Sequence, residues 1–352
     1  MSDAVNGTGN LLTEIFAVLH DGADVFLLKA ITGTGDAEQL AGSIESFCVE
    51  RFGSGVSACR FARLSMGASF GLRLANGRDI FLKISGLRSE TSGNRGFAVE
   101  ELRAVSRLRQ ILHDTKYPCP AVILHPAVYR GAIYTVDEFA DVGTQKDAHD
   151  PGIRRASARG LAELIDRLKP YTALSGLKEI DIYKTENIFP APHNPNTDFS
   201  RNAEKAEWID GIALRSKRLI TSINKNIVLG HCDWSMKNMR FIGEKIAMVY
   251  DWDSIILQDE YHILATAAST FPMTWDIPVR IVPTQEEARD FVAEYERARG
   301  EKFSAEEWAK ISACVTYYFC YTARCQVSAG DRYEGSFIEA LGGMRGDNYL
   351  RV

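Results

Sequence analysis

The chain has 352 residues, 45% apolar and 25% charged, with a formal charge of −5, which fits an ordinary soluble protein of two domains or one two-lobed unit. So mild a charge gives no support for nucleic-acid binding, and no apolar run approaches the ~20 residues of a membrane span. Seven cysteines, odd in number and without a C-x-x-C pair, argue against a disulfide framework or a zinc site and for a reducing cytoplasm. The start has no basic segment followed by a long apolar core, so export is not expected.

In chain order, residues 1–10 are polar and read as a mobile tail. Helical patterns follow over 11–20, 25–31 and 36–52, the last with Asp36 as its N-cap. Together residues 1–55 form an extension ahead of the first strand, expected to pack on the sheet, with a dimer contact as the other use. Residues 56–64 read as a strand, and Ser65 to Gly71 as a small-residue loop. Ser69 there can bond a phosphate, although a lone Ser in a turn is more often structural. A second strand over 72–75 meets Asn76-Gly77, a strong hairpin signal, and the third, over 79–85, carries Lys83 among apolar neighbours. A mid-strand lysine is otherwise an exposed edge residue.

Val99, Leu102, Val105 and Leu108 recur at helical spacing over 97–112, with Glu100 and Glu101 near the start. One of these acids suits the helix dipole in the first turn. Residues 121–124 and 132–136 read as the last two strands of a small sheet, and Asp137-Glu138-Phe139-Ala140 as a linker. Residues 156–169 form an amphipathic helix, and further helices are predicted over 203–224, 286–299 and 304–327. Between them, 184–202 is rich in Pro, Asn and Asp and reads as a long loop, a candidate lid or specificity element.

The chemistry concentrates between residues 231 and 253. His231-Cys232-Asp233-Trp234-Ser235-Met236-Lys237-Asn238 is an H-x-D-x(4)-N pattern, followed by Asp251-Trp252-Asp253. A strand over 227–229 leads into it, and a hairpin of residues 239–242 and 246–250 brings the Asn238 and Asp251 ends together. One carboxylate can orient a hydroxyl and accept its proton, while an amide and a second carboxylate supply oxygen donors to a metal.

With those residues in view, the segment resembles the aminoglycoside phosphotransferase family, which includes choline kinase-like small-molecule kinases. The family signature has Gly where this chain has Cys232, and of its G-D-P-x-x-D-L-A continuation only Asp259 and Leu264-Ala265 remain. The resemblance implies an α+β, two-lobed protein-kinase-like fold: a small nucleotide-binding lobe over 56–140 with an antiparallel sheet plus helix, and a mainly helical large lobe over 141–352. It implies Asp233 as catalytic base, Asn238 and Asp251 as Mg²⁺ ligands, His231 as a brace and Asp253 as a supporting acid. Lys83 would contact the nucleotide phosphates and pair with Glu101, favoured over Glu100. Ser69, Glu138 and Phe139 would complete the nucleotide contacts, with ATP as donor and GTP left open.

The activity so implied is Mg²⁺-dependent transfer of a γ-phosphoryl group to the hydroxyl of an antibiotic, sugar or amino alcohol, by a cytoplasmic monomer or homodimer without nucleic-acid or membrane partners. The many Arg and Lys of residues 150–225 make a polycationic antibiotic a less expected acceptor. A pseudokinase that binds nucleotide without transfer is the alternative. A protein kinase is disfavoured, since D-F-G, A-P-E and an activation segment are missing.

Overall fold

Gly77, at φ 84°, closes the Asn76-Gly77 turn between β2 (Gly67–Leu74) and β3 (Asp79–Gly86), and this hairpin is the centre of a five-stranded antiparallel sheet. In the computed structural model, which describes residues 2–20, 22–88, 96–192, 197–274, 276–330, 334–344 and 348–350, the chain divides into two units, Met1–Asp141 and Val142–Val352. In the first, β1 (Val56–Leu64), β4 (Val122–Tyr129) and β5 (Ala132–Glu138) join the hairpin in the order β1-β2-β3-β5-β4. The stretch expected to be a small-residue loop is therefore mostly strand: Gly67 to Gly71 lie in β2, and Ser69 pairs directly with Lys83. Small residues do not stop a strand when both neighbours supply ladder partners.

Side chains alternate across the sheet, so each strand divides its residues between two faces. Phe70, Leu72, Leu74, Ile80, Leu82, Ile84 and Val136 point to one face and are buried there. Three helices fill that side: α1 (Ser2–Ala17), α2 (Gly22–Thr32) and α3 (Ala37–Phe52), through Leu11, Ile15, Leu28, Ile31, Leu40, Ile44 and Phe47. Asp36 caps α3 as expected, accepting from the amides of Glu38 and Gln39. Residues 2–10 are helical, not a tail; the helix runs back from Leu11 and Ile15, which are seated in the core, and Asn10 accepts a bond from the Cys59 amide of β1 (2.6 Å). Tertiary anchoring thus overrides a weakly helical sequence.

On the other face, α4 (Val99–Asp114) meets the sheet. Its Arg109 forms a buried ion pair with Asp137, which lies in β5 and not in a linker.

The second unit is mainly helical: α5 (Pro151–Leu168), α6 (Ala203–Ser222), α7 (Glu260–Thr270), α8 (Gln285–Arg299), α9 (Ala305–Ala329) and α10 (Phe337–Gly342). Every residue of α7 is buried, which marks it as the central helix of this unit. Two small sheets complete the unit: β6 (Ile227–His231) with β9 (Ile255–Asp259), and the hairpin of β7 (Met239–Ile242) and β8 (Lys245–Val249). Asp259, the acid that survives from the family continuation, caps α7 and forms a 2.7 Å ion pair with the fully buried Lys310 of α9. Lys310 also donates to the carbonyls of Ile223 and Asn224, so its charge is fully partnered. No helix among the described residues is long and apolar enough to cross a membrane.

Candidate active site

β6 delivers His231 at its end, and β9 returns antiparallel beside it, pairing His231 with Ile255. This return strand, absent from the sequence reading, sets the loop after β6 against the loop after β8. The Cys232 amide donates to the Ser254 carbonyl (2.9 Å), and the Tyr250 amide donates to the Asn238 carbonyl (2.9 Å). His231 is completely buried and links the two loops. Its Nδ1 accepts the Asp233 amide (3.2 Å), which leaves Nε2 to donate to the Tyr250 carbonyl (3.0 Å). Both ring nitrogens are thus engaged with backbone, the arrangement of a brace and not of an acid or base.

Asp233 is half-exposed and surrounded by donors. Lys237 Nζ lies 2.8 Å from Oδ2, Asn238 Nδ2 donates to the same oxygen (3.1 Å) and to the Asp233 carbonyl (2.9 Å), and Ser235 Oγ reaches Oδ1 at 3.5 Å. The single turn of 3₁₀ helix over Met236–Asn238 brings Lys237 and Asn238 back to the carboxylate. Lys237 was not singled out in the sequence; its i, i+4 spacing from Asp233 is the signal that was available. Trp234, wholly buried, bonds the carbonyl and hydroxyl of Ser157 in α5 and anchors the loop from beneath.

Asp251 has φ 60° and ψ 48°, the left-handed region that Asp and Asn enter more readily than other side chains. Its Oδ2 accepts from Ser254 Oγ (3.1 Å). Asp253 is half-buried on the following turn. Cys232, by contrast, is not among the described residues with positive φ, so the loop does not require glycine there. Its thiol is pushed up to about 12, by burial first and then by the fields of Asp233, Asp251 and Asp253.

The donors offered to a cation are the Oδ1 of Asn238, whose amide nitrogen is turned to Asp233, and the carboxylate of Asp251. Among the described residues no group of three or more His, Cys, Asp or Glu could hold a metal. Two hard oxygen donors without a full protein cage suit Mg²⁺, which takes few protein ligands and completes its shell with water and phosphate.

In the first unit, Lys83 lies half-buried on β3 between Ser69 of β2 and Thr135 of β5, its cross-strand partners. The three share the face opposite the α1–α3 core. Gly67 lies beside them: a Cβ there would approach Lys83 Cε to 3.3 Å. Glu101, the expected partner of Lys83, has its two oxygens bonded by Arg88 (2.9 and 3.0 Å), while Glu100 pairs with Arg103 (2.6 Å). Glu138 is exposed at the end of β5. Phe139 packs over Gly71, where a Cβ would come within 2.6 Å of the Phe139 and Phe61 rings. Arg60 lies 5.0 Å from the centre of the Phe139 ring.

No family model matches the chain, and no curated protein matches it. Solved structures do match. The amicoumacin kinase hAmiN, in complex with AMP-PNP, Ca²⁺ and Ami, is similar with a TM-score of 0.55 and 12% identity, over 77% of this chain and 81% of that one. The AMP-bound spectinomycin phosphotransferase APH(9)-Ia matches at TM-score 0.53 and 14% identity, covering 88% and 99%. The GDP and kanamycin complex of APH(2")-IIia matches at 0.55 and 13%, covering 84% and 94%. At these identities the likeness establishes the fold: the chain has the two-lobed, protein-kinase-like α+β fold of these phosphotransferases.

Proposed function

We propose that the protein is a small-molecule kinase of the aminoglycoside phosphotransferase type, transferring the γ-phosphoryl group of ATP to an acceptor hydroxyl. The observation that carries this reading is the joining of the 231–238 and 250–254 loops. It bonds Asn238 to Asp233 and ties the Asn238 carbonyl to the Tyr250 amide beside Asp251, in a chain whose fold is that of antibiotic phosphotransferases, and this supports the reading.

The acceptor hydroxyl donates its proton to Asp233 as its oxygen forms a bond to the γ-phosphorus. The bond from that phosphorus to the bridging oxygen breaks, and its electron pair leaves with the nucleoside diphosphate. Lys237 and Asn238 hold the Asp233 carboxylate in one orientation, so the base is positioned before substrate arrives. Asn238 and Asp251 would hold Mg²⁺, which supplies charge neutralisation on the phosphates when bound. In the first unit, Lys83, aligned between Ser69 and Thr135, supplies a cation to the phosphates. Glu101, tied to Arg88, contributes by fixing the start of α4 against the chain that leaves β3. The seven free cysteines fit a reducing cytoplasm.

Asp233→Asn keeps the size of the side chain and one oxygen but removes the base. Transfer is expected to fall by about 10²–10⁴-fold, with nucleotide affinity within a few fold of the parent. A coupled assay of nucleotide consumption across hydroxyl-bearing metabolites and antibiotics, beside calorimetric nucleotide binding, checks this. Equal turnover by parent and variant removes the assignment of Asp233, and stoichiometric binding without transfer to any acceptor favours the pseudokinase.

A further inference from the structure

Asp233 is held by more donors than its orientation needs. Asn238, a neutral donor, bonds both its Oδ2 (3.1 Å) and its carbonyl (2.9 Å), fixing the carboxylate and the backbone behind it. Lys237 Nζ then adds a full positive charge 2.8 Å from the same Oδ2. The other oxygen, Oδ1, meets the Ser235 hydroxyl at 3.5 Å, the limit of a hydrogen bond. Oδ1 is therefore the oxygen left to an acceptor hydroxyl, with the ammonium across the same carboxylate from it.

The backbone of Lys237 is fixed on both sides. Its amide donates to the Met273 carbonyl (2.8 Å), and the Met236 amide donates to that of Phe271 (3.0 Å). Gln145 Nε2 lies 3.5 Å from the Lys237 carbonyl, and the Thr274 hydroxyl donates to Gln145 Oε1. Thr144 is itself tied to β7 by two backbone bonds with Phe241 (3.0 and 2.8 Å). Segments from before α5 and after α7 thus clamp the root of this side chain. Its end stays 20% exposed beside an Asp233 side chain that is 30% exposed, and the four-carbon stem can still swing the ammonium.

Charge moves at this point during transfer. The acceptor oxygen stands about 3 Å from the base and about 3 Å from the γ-phosphorus. An ammonium on that carboxylate is then within one side-chain swing of the phosphoryl oxygens. Once Oδ1 takes the acceptor proton, Asp233 loses the charge that kept Lys237, and the phosphoryl group carries the negative charge nearest to it.

We infer that Lys237 is a second catalytic residue: its ammonium pairs with Asp233 before transfer and passes to the non-bridging oxygens of the γ-phosphoryl group as Asp233 becomes protonated. The bond from the acceptor oxygen to phosphorus forms, and the bond from phosphorus to the bridging oxygen breaks, its electron pair leaving with ADP. The proton rests on Asp233, and Lys237 stays protonated throughout. The inference rests on the proposed kinase activity, and its test reads nucleotide binding apart from transfer.

Asp233→Asn stands in for the protonated base, so in that protein the lysine is expected on the γ-phosphate. Calorimetry with Mg²⁺ and either ATP or ADP compares it with the double variants carrying Lys237→Met, Lys237→Gln or Lys237→Arg. Methionine or glutamine should weaken ATP about tenfold and leave ADP within about twofold, while arginine should keep most of the ATP affinity. With Asp233 intact, phosphate release from ATP, with water as acceptor, should fall about 10²-fold in Lys237→Met at a KM for ATP within about threefold, and Lys237→Arg should recover at least about tenfold. The melting temperature of each variant controls for folding.

Equal weakening of ATP and ADP, no weakening of either, or parental turnover in a folded Lys237→Met protein would overturn the inference and leave the kinase reading in place. A preference for ATP that depends on Lys237, without transfer to any acceptor including water, would keep the γ-phosphate contact and remove the kinase reading.

Discussion

Cys232 illustrates how one residue reports on a whole site. It occupies ordinary backbone space in a loop where the related signature has glycine, and its sulfur feels three carboxylates from two loops. With the thiol pushed up to about 12, very little thiolate exists at neutral pH, so this half-buried cysteine next to Asp233 is chemically quiet. Iodoacetamide at pH 8 should alkylate Cys232 of the native protein at least ~100-fold more slowly than glutathione, followed by mass spectrometry of the 232-containing peptide. Labelling at the rate of an ordinary thiol would mean that Cys232 is not buried as described. At Asp251 the left-handed backbone suits the residue type, because Asp tolerates φ 60° at lower cost than a β-branched residue while offering oxygen donors.

The spacing of Asp233, Asn238 and Asp251 was legible in the sequence, since it lies within one short motif. Lys237 was not, because a lysine in a polar loop looks the same whether it points to solvent or returns to Asp233.

At the scale of elements, α7 acts as the post around which the second unit is assembled. His262 on its first turn is buried and accepts the Tyr183 hydroxyl at Nδ1 (2.8 Å), with Thr266 Oγ1 3.5 Å from Nε2. The segment before the long loop is thereby fastened to the central helix. Burial lowers His262 to about 4, opposed by the field of Asp181. The unfolded chain takes up this proton near 6.5 and the folded chain near 4, so between those values the unfolded state binds more protons. This contribution to stability is complete above pH 6.5 and is lost as pH falls towards 4, by on the order of 3 kcal/mol in total. Thermal melts from pH 7 to 4 should show the decline, with a shallower slope in His262→Gln. Identical slopes would show that His262 is not the group concerned.

Helix boundaries were read well where capping chemistry was explicit, as at Asp36 and at Ser304, which forms a full capping box with Glu307. They were read poorly where neighbours decided: β9 has no turn signal to separate it from the D-W-D turn, and only its pairing with β6 makes it a strand.

At the scale of the molecule, the N-terminal extension is part of the first unit's core and not an appendage to it. Leu11, Ile15, Leu28 and Ile31 are each at most 5% exposed. At roughly 2 kcal/mol for each buried aliphatic side chain, their loss would remove about 8 kcal/mol, as much as a typical domain's whole stability. A chain starting at residue 37 should therefore be insoluble or lack a cooperative melt, whereas a soluble protein melting within a few degrees of the parent would show that α1 and α2 are dispensable. From the sequence the extension is expected to pack on the sheet, with a dimer contact as the other use; the structure puts it in the core.

The sequence by itself determined the hairpin at Asn76-Gly77, the strand carrying Lys83, the helical second half and the spacing of Asp233, Asn238 and Asp251, since each rests on local periodicity or on a short motif. Only the tertiary structure decided that residues 67–71 are strand, that Glu101 is held by Arg88, that Lys237 returns to the Asp233 carboxylate and that α1 to α3 close the core of the sheet. Those outcomes depend on partners far away in the chain. Long-range packing chooses among conformations that local chemistry leaves nearly equal in energy, and a single stretch of sequence carries no record of which neighbour it will meet.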